Sequence, residues 1–269
     1  MHVMAKYARA AAVPLVTLVL VLALWQAVTA SGLFRPDQFP TMTDTLQALA
    51  TALGTEALWS AVSATLQGWA IGLAVAAVLA VVVGSVLGAN DLAFRSAASL
   101  IEIFKAIPAI AILPLVILVL GSTLGMKVFL IAFGAFWPLV VQVIYGVRAM
   151  DPTVSETARA LGVRGFLRFV TVTLPSASPY VATGLRIASA SALILAVVAE
   201  LVGGAEGIGR RILFARNAGV SAYPTMYAYI LVAGALGILL TGAFFLLERK
   251  GMHWHESQRG VGTGGLEAR

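Results

Sequence analysis

The chain has 269 residues, of which 60% are hydrophobic and 11% charged, with a formal net charge of +6 and a mean hydropathy of +0.94. Soluble domains carry about 25% charged residues, so this chain cannot clothe a soluble globule, and lipid must be its main solvent. Its basic residues sit in short segments between apolar runs, where they set topology, which argues against nucleic acid as a partner; the absence of cysteine removes disulfides and thiolate metal sites.

In chain order, Lys6 and Arg9 precede an apolar run, Ala11–Ala30. Val28-Thr29-Ala30 could pass for a signal-cleavage site. Secretory apolar regions are about 7–15 residues long, however, and this run is about 20, enough to span a bilayer. An uncleaved first helix is expected. Ser31–Ala57 follows, broken by Pro36 and Pro40 and made mildly acidic by Asp37, Asp44 and Glu56; Leu46, Leu49 and Leu53 mark a short interfacial helix within it. Further apolar runs cover Leu58–Ala89, Ala97–Leu120, Gly125–Val147, Ala177–Val202 and Pro224–Leu247, giving six predicted spans. The run Leu58–Ala89 is too long for one straight crossing and is expected to begin outside the membrane. None alternates with the period of two that a barrel requires, and backbone in hydrocarbon must satisfy its own hydrogen bonds. The expected class is an all-α polytopic membrane protein. Gly68/Gly72, Gly84/Gly88 and Gly121/Gly125 place small residues one turn apart, as close helix packing needs, although glycine is also abundant in spans generally.

With the N-terminus inside, the inner segments hold Lys6, Arg9, Arg95, Arg148, Arg159, Arg164, Arg168, Arg249, Lys250, Arg259 and Arg269. The outer ones hold Arg35, Lys127, Arg210, Arg211 and Arg216. The asymmetry predicts both termini in the cytoplasm. The tail after Lys250 carries His253 and His255, becomes glycine-rich from Gly260, and is expected to fray.

Between the fourth and fifth spans lies a polar stretch. Asp151 is a fitting N-cap, Pro152 suits the first helical position and Gly162 the position past the end, so a helix is predicted from Asp151 to Gly162. Glu156 lies in its N-terminal half, where negative charge is favoured. Val154, Ala158 and Leu161 share a narrow face, and a helix of about ten residues is marginal alone, so that face calls for a partner. Beyond it, Phe166, Phe169 and Val170 share one face while Arg164 and Arg168 stand a turn apart, as in a helix resting on the membrane surface. Leu174-Pro175 is expected to end that helix before the fifth span. On spacing alone, an ordinary amphipathic loop with basic residues for topology fits equally well.

This segment resembles the cytoplasmic loop of bacterial binding-protein-dependent ABC importer permeases of the type I fold. Their signature is Glu-Ala-Ala-xxx-Gly followed by a distal Leu-Pro. Glu156, Ala158, Gly162 and Leu174-Pro175 match it, and Thr157 departs from it. Lys105-Ala106-Ile107-Pro108, Leu113-Pro114-Leu115, the span Lys127–Gly146, Gly184-Leu185-Arg186-Ile187-Ala188 and Ala199-Glu200-Leu201 look like the nitrate, sulfonate, taurine and bicarbonate branch. The likeness covers roughly residues 58–257. It implies a permease subunit of the bacterial inner membrane that forms the pathway for a small solute. Implied partners are a cytoplasmic ATPase dimer that binds the ATP and Mg, a second permease copy in a homodimer, and an extracytoplasmic binding protein. It also implies that Ala158 and Leu161 contact the ATPase groove, flanked by Glu156, Thr157 and Arg159, with Gly162 permitting the sharp exit. The implied organisation is an N-terminal helix and outer loop over 1–57, a transport core over 58–250 with coupling loop 148–176, and a cytoplasmic tail over 251–269.

Charges within spans are costly and often functional. Glu102 and Lys105 can pair near the cytoplasmic end of the third span, as a structural pair at the interface. Arg186 either snorkels inward or lines the pathway. Glu200 either anchors an outer gate or faces a polar cavity. Gly203 and Gly204 open a glycine-rich turn that resembles the one after the fifth span in this branch. Arg210, Arg211 and Arg216 beyond it either attract an anion or acidic docking surface or form a basic interfacial helix. No segment carries the phosphate-loop ending Gly-Lys-Ser/Thr at its spacing, and no metalloprotease or nucleophile-elbow motif occurs; the chain is expected to be no enzyme. The competing class is a secondary transporter or channel, which usually shows broken helices and charged midplane sites.

Overall fold

The computed structural model describes residues 16–17, 19–35 and 38–251, with side chains as far as residue 248. The sequence features at Lys6, Arg9, Pro36, Asp37, His253, His255, Arg259, Arg269 and the glycine-rich tail lie outside the described residues. The described residues are helical and contain no strand.

Helix α1 (Val19–Ala30) is the described part of the first predicted span. Its Trp25 stacks on Phe39, which in turn meets Tyr227. Helix α2 (Met42–Leu53) is capped by Thr41, whose hydroxyl accepts from the Asp44 N–H. Leu46 and Leu53 are exposed, as an interfacial helix requires, while Met42, Thr45 and Ala52 are buried. Helix α3 (Glu56–Ala89) has 34 residues; at 1.5 Å per residue it is about 51 Å long, well beyond a hydrocarbon core of about 30 Å. Its predicted start outside the membrane follows from that length.

The core is built on α6 (Leu124–Arg148), which packs along α3 and along α9 (Leu174–Gly203). The contact with α3 is drawn close by glycines. A β-carbon at Gly72, Gly84 or Gly88 would stand 2.6–2.8 Å from a side-chain carbon of Ile131, Val143 or Val147. The third predicted small-residue pair packs nothing in this way: Gly121 ends α5 (Leu113–Leu120) and Gly125 opens α6. The opposing α9 face is alanine-rich, with Ala188, Ala192 and Ala196 fully buried. Outward faces are apolar (Val78, Val82, Leu118, Ile194, Leu239), and hydrocarbon is the solvent that suits them. Helix α11 (Tyr223–Gly251) is the last span.

Four helices are long and apolar enough to cross a membrane among the described residues, and a bent pair makes a fifth. That pair corrects the reading of Ala97–Leu120 as one straight span. Helix α4 (Asp91–Ala106) stops at Ile107, and the chain turns by 77° into the 3₁₀ turn Ala109–Ile112 and α5. Pro108 has no N–H and disfavours helical backbone at Ile107, which is extended. A second correction concerns Leu174-Pro175. It does not end the amphipathic segment. Helix α8 (Gly165–Arg168) widens into a π-helical stretch, Phe169–Thr173, that runs directly into α9. The wider turn carries Pro175 inside a continuous helix, at a position where its missing N–H is tolerated.

Candidate functional site: a capped loop helix and a buried ion pair

Helix α7 (Pro152–Ala160) joins the end of α6 to α8. The Asp151 carboxylate accepts from the Thr153 N–H at 2.7 Å, and Pro152 opens the helix. At its other end the Val163 N–H donates to the Ala158 carbonyl at 2.9 Å and the Gly162 N–H to the Arg159 carbonyl at 3.0 Å. This paired closure of orphan carbonyls requires left-handed backbone past the helix end, and Gly162 supplies it with φ +73. The helix is therefore closed at both ends by its own residues.

The predicted stripe on α7 is split. Val154 is exposed and Leu161 is 75% exposed, but Ala158 is buried within the chain itself. Ala158 is thus covered by its own chain, on a helix that packs on the π-helical stretch beneath it. Glu156, Thr157 and Arg159 are exposed, with the Thr157 hydroxyl turned back to the Thr153 carbonyl at 2.8 Å. Arg164 and Arg168 also part company: Arg164 is exposed, whereas Arg168 donates to the Ser155 hydroxyl at 2.7 Å. That bond ties α7 to the helix that becomes α9. Behind α7 a cleft of about 390 Å³ is lined by Ser85, Met150, Ser155, Arg159, Arg168 and Thr173. Phe166 and Leu167 project from α8. The polar segment therefore presents one short capped helix, pinned to a span that crosses the whole bundle.

The opposite end holds a charge network. Glu200 faces no open cavity: it is fully buried and paired with Lys127 at 2.9 Å. Lys127 Nζ also donates to the carbonyls of Ala64 and Glu206, both at 2.7 Å. The second carboxylate oxygen of Glu200 accepts from the Thr65 hydroxyl at 2.9 Å and the Gly209 N–H at 3.0 Å. Thr65 accepts in turn from the Ile208 N–H at 3.0 Å. The lysine uses all three donors and each carboxylate oxygen is engaged, so the pair meets the condition under which buried charges are tolerated. Sequence reasoning does not single out Lys127 or Thr65. The available signal is opposite charges near the same ends of two predicted apolar spans.

Arg186 is paired with Glu248 of α11 at 3.0 Å and is partly exposed. Gly203 is the last residue of α9 and packs on Met126, and Gly204 begins the turn. Helix α10 (Ile208–Asn217) carries the other predicted basic residues. Arg210 is ion-paired with Glu206 and lies over the Phe214 ring, Arg211 is partly buried, and Arg216 is exposed. No group of three or more metal-ligating side chains occurs among the described residues.

Over its described residues the chain forms a helical bundle with apolar outward faces, from which a polar helix, closed at both ends, hangs on one continuous span. Its fold is similar to that of the MetNI methionine ABC transporter in inward-facing conformations, with a TM-score of 0.60 at 20% identity over 70% of this chain and 92% of that one. Residues 80–251 match the family described as binding-protein-dependent transport system inner membrane component, and the chain belongs to that family. It is accordingly a permease subunit of an ABC importer of the type I fold, a multi-pass plasma-membrane protein whose ATP hydrolysis is left to a partner subunit. It is 28% identical over 240 residues to the Bacillus subtilis (strain 168) permease SsuC, named for aliphatic sulfonates transport, covering 89% of this chain and 86% of that protein. It is 29% identical over 185 residues to the nitrate import permease protein NrtB of Leptolyngbya laminosa, covering 69% of this chain and 66% of that one.

Proposed function

We propose that this chain forms the translocation pathway for a small oxyanion and is driven through α7 by a cytoplasmic ATPase dimer. The observation that carries the reading is the continuity from α7 through the Arg168–Ser155 bond into α9. A push on α7 then moves a span. In this arrangement α7 and both termini face the cytoplasm, ATP and Mg sit on the ATPase, and residues 58–250 form the transport core. Two copies of the chain surround a pathway on their two-fold axis. Leu161, Val154, Glu156 and Arg159 make the ATPase contact. The named relatives, for aliphatic sulfonates and for nitrate, support an anionic substrate.

The chain has no cysteine, so Leu161→Cys gives a single thiol on α7. It is expected to cross-link to a groove cysteine of the co-purifying ATPase, and failure to co-purify any ATPase with a phosphate loop would overturn the reading. The external binding protein is placed at the α10 end. Charge reversal at Arg211 and Arg216 is expected to weaken capture of the loaded binding protein about ten-fold, with a smaller effect at Arg210, whose charge Glu206 already offsets. Unchanged capture in the triple variant would remove α10 from the docking surface.

A further inference from the structure

The Glu102–Lys105 pair lies level with the middle of α6, not with its end. Helix α4 runs antiparallel to α6 at matched depth: Asp91, its first residue, bonds Arg148, the last of α6, and Phe94 lies under the same guanidinium. Thirteen residues on from Asp91, Phe104 stacks on Trp137 with ring centroids 5.1 Å apart and planes 4° from parallel. Ala109, past the bend, meets the position of Gly134. Trp137 stands near the midpoint of the 25-residue α6, so Phe104 does too. Glu102 and Lys105 flank Phe104, within about one helical turn of the span centre. Their side chains are 66% and 44% exposed. Two charged groups at that depth cannot face lipid without a large penalty, and the protein itself does not cover them. Immediately beyond them the span breaks at Ile107-Pro108, and broken spans are where transporters place their binding groups.

We infer that Lys105 is the cationic contact for the anion in transit, held in place by Glu102 at the bend of the broken span. This rests on the reading of the chain as an oxyanion importer. Lys105 Nζ gives one donor to Glu102 at 2.8 Å, and an ammonium has three, so two remain for an oxyanion. The pair is neutral overall, which keeps its hold on the anion weak; passage needs a site that is entered readily and left readily.

The test uses the assembled importer in proteoliposomes, with its loaded binding protein and with nitrate or ethanesulfonate as probe. Lys105→Gln is expected to deliver about ten-fold less anion per ATP hydrolysed, the worth of one hydrogen bond to a charged group. Lys105→Arg is expected to restore most of it. Lys105→Cys places a single thiol in the chain, which is expected to react with a charged, membrane-impermeant thiol reagent and to be protected by the anion. Full delivery by Lys105→Gln would overturn the assignment. So would a thiol at this position that stays inert to the reagent, or permease copies that separate on gel filtration, which would give the pair to the seam between copies. If the unaltered importer moved neither probe, the substrate reading would fail, while labelling of the Lys105→Cys variant would still decide whether this position faces a water-filled path.

Discussion

Gly162→Val is expected to abolish ATP-driven uptake while the protein still inserts and assembles. Gly162 sits at φ +73 with nothing within 4 Å of where a β-carbon would stand. A side chain would therefore meet no neighbour, and the whole penalty is conformational. Left-handed backbone costs an ordinary L-residue about 1–2 kcal/mol, and β-branching makes it worse. That backbone also carries the two closing hydrogen bonds, from Val163 to Ala158 and from Gly162 to Arg159. A helix of nine residues has little stability of its own to lose. Its last turn is expected to unwind and take Leu161, an exposed apolar group of the segment, out of position. Force from the ATPase would then be spent on a frayed end. Gly162→Asn is expected to retain most uptake, since asparagine tolerates this region. The measurement is anion uptake alongside ATP hydrolysis in the reconstituted importer, with membrane abundance as control. Undiminished uptake by a well-inserted valine variant would mean that α7 is no lever.

The contrast between α7 and the rest of the molecule shows where sequence reading holds. Asp151, Pro152 and Gly162 each act on backbone within three residues, so their chemistry announces itself in a short string, and the helix lies where those residues place it. The long apolar spans are legible for the same reason: solvent preference is a property of composition. Ala158 is misread from sequence because α7 has two faces of similar character, and only the π-helical stretch packed beneath it decides which is covered. Pro108 is visible, yet whether a proline kinks a span or breaks it by 77° depends on what α5 packs against afterwards. Pro175 shows the reverse case, a proline that a wide turn absorbs. The level of Glu102 and Lys105 along the bundle is not legible from a run that starts at Ala97, because α4 begins six residues earlier, at Asp91. The partner of Asp91, Arg148, is 57 residues away in sequence.

Lys127→Met alone is expected to cost about 3–5 kcal/mol, because it strands a carboxylate in a fully buried site. Glu200 would keep only the Thr65 hydroxyl and the Gly209 N–H. Glu200→Leu alone is expected to be comparably damaging, leaving an ammonium with the two carbonyls of Ala64 and Glu206. The double variant should recover most of the loss, since an apolar pair of similar volume can replace a buried ion pair at little net cost. The expected signature is therefore strong non-additivity in a double-mutant cycle, read as thermal unfolding of the detergent-purified protein. Simple additivity would show that the two charges are stabilised separately by their surroundings. The recovery should not extend to everything the network does. The Glu206 carbonyl, in the turn that leads into α10, and the N–H groups of Ile208 and Gly209, the first two residues of α10, are held by Lys127, Thr65 and Glu200 from three different spans. Methionine and leucine can fill the volume but offer nothing to the Glu206 carbonyl or the Gly209 N–H, leaving only Ile208 held, by Thr65. A stable double variant in which amide exchange across residues 204–209 becomes faster would show that the ion pair serves to fix the turn, and with it the basic helix, to the bundle.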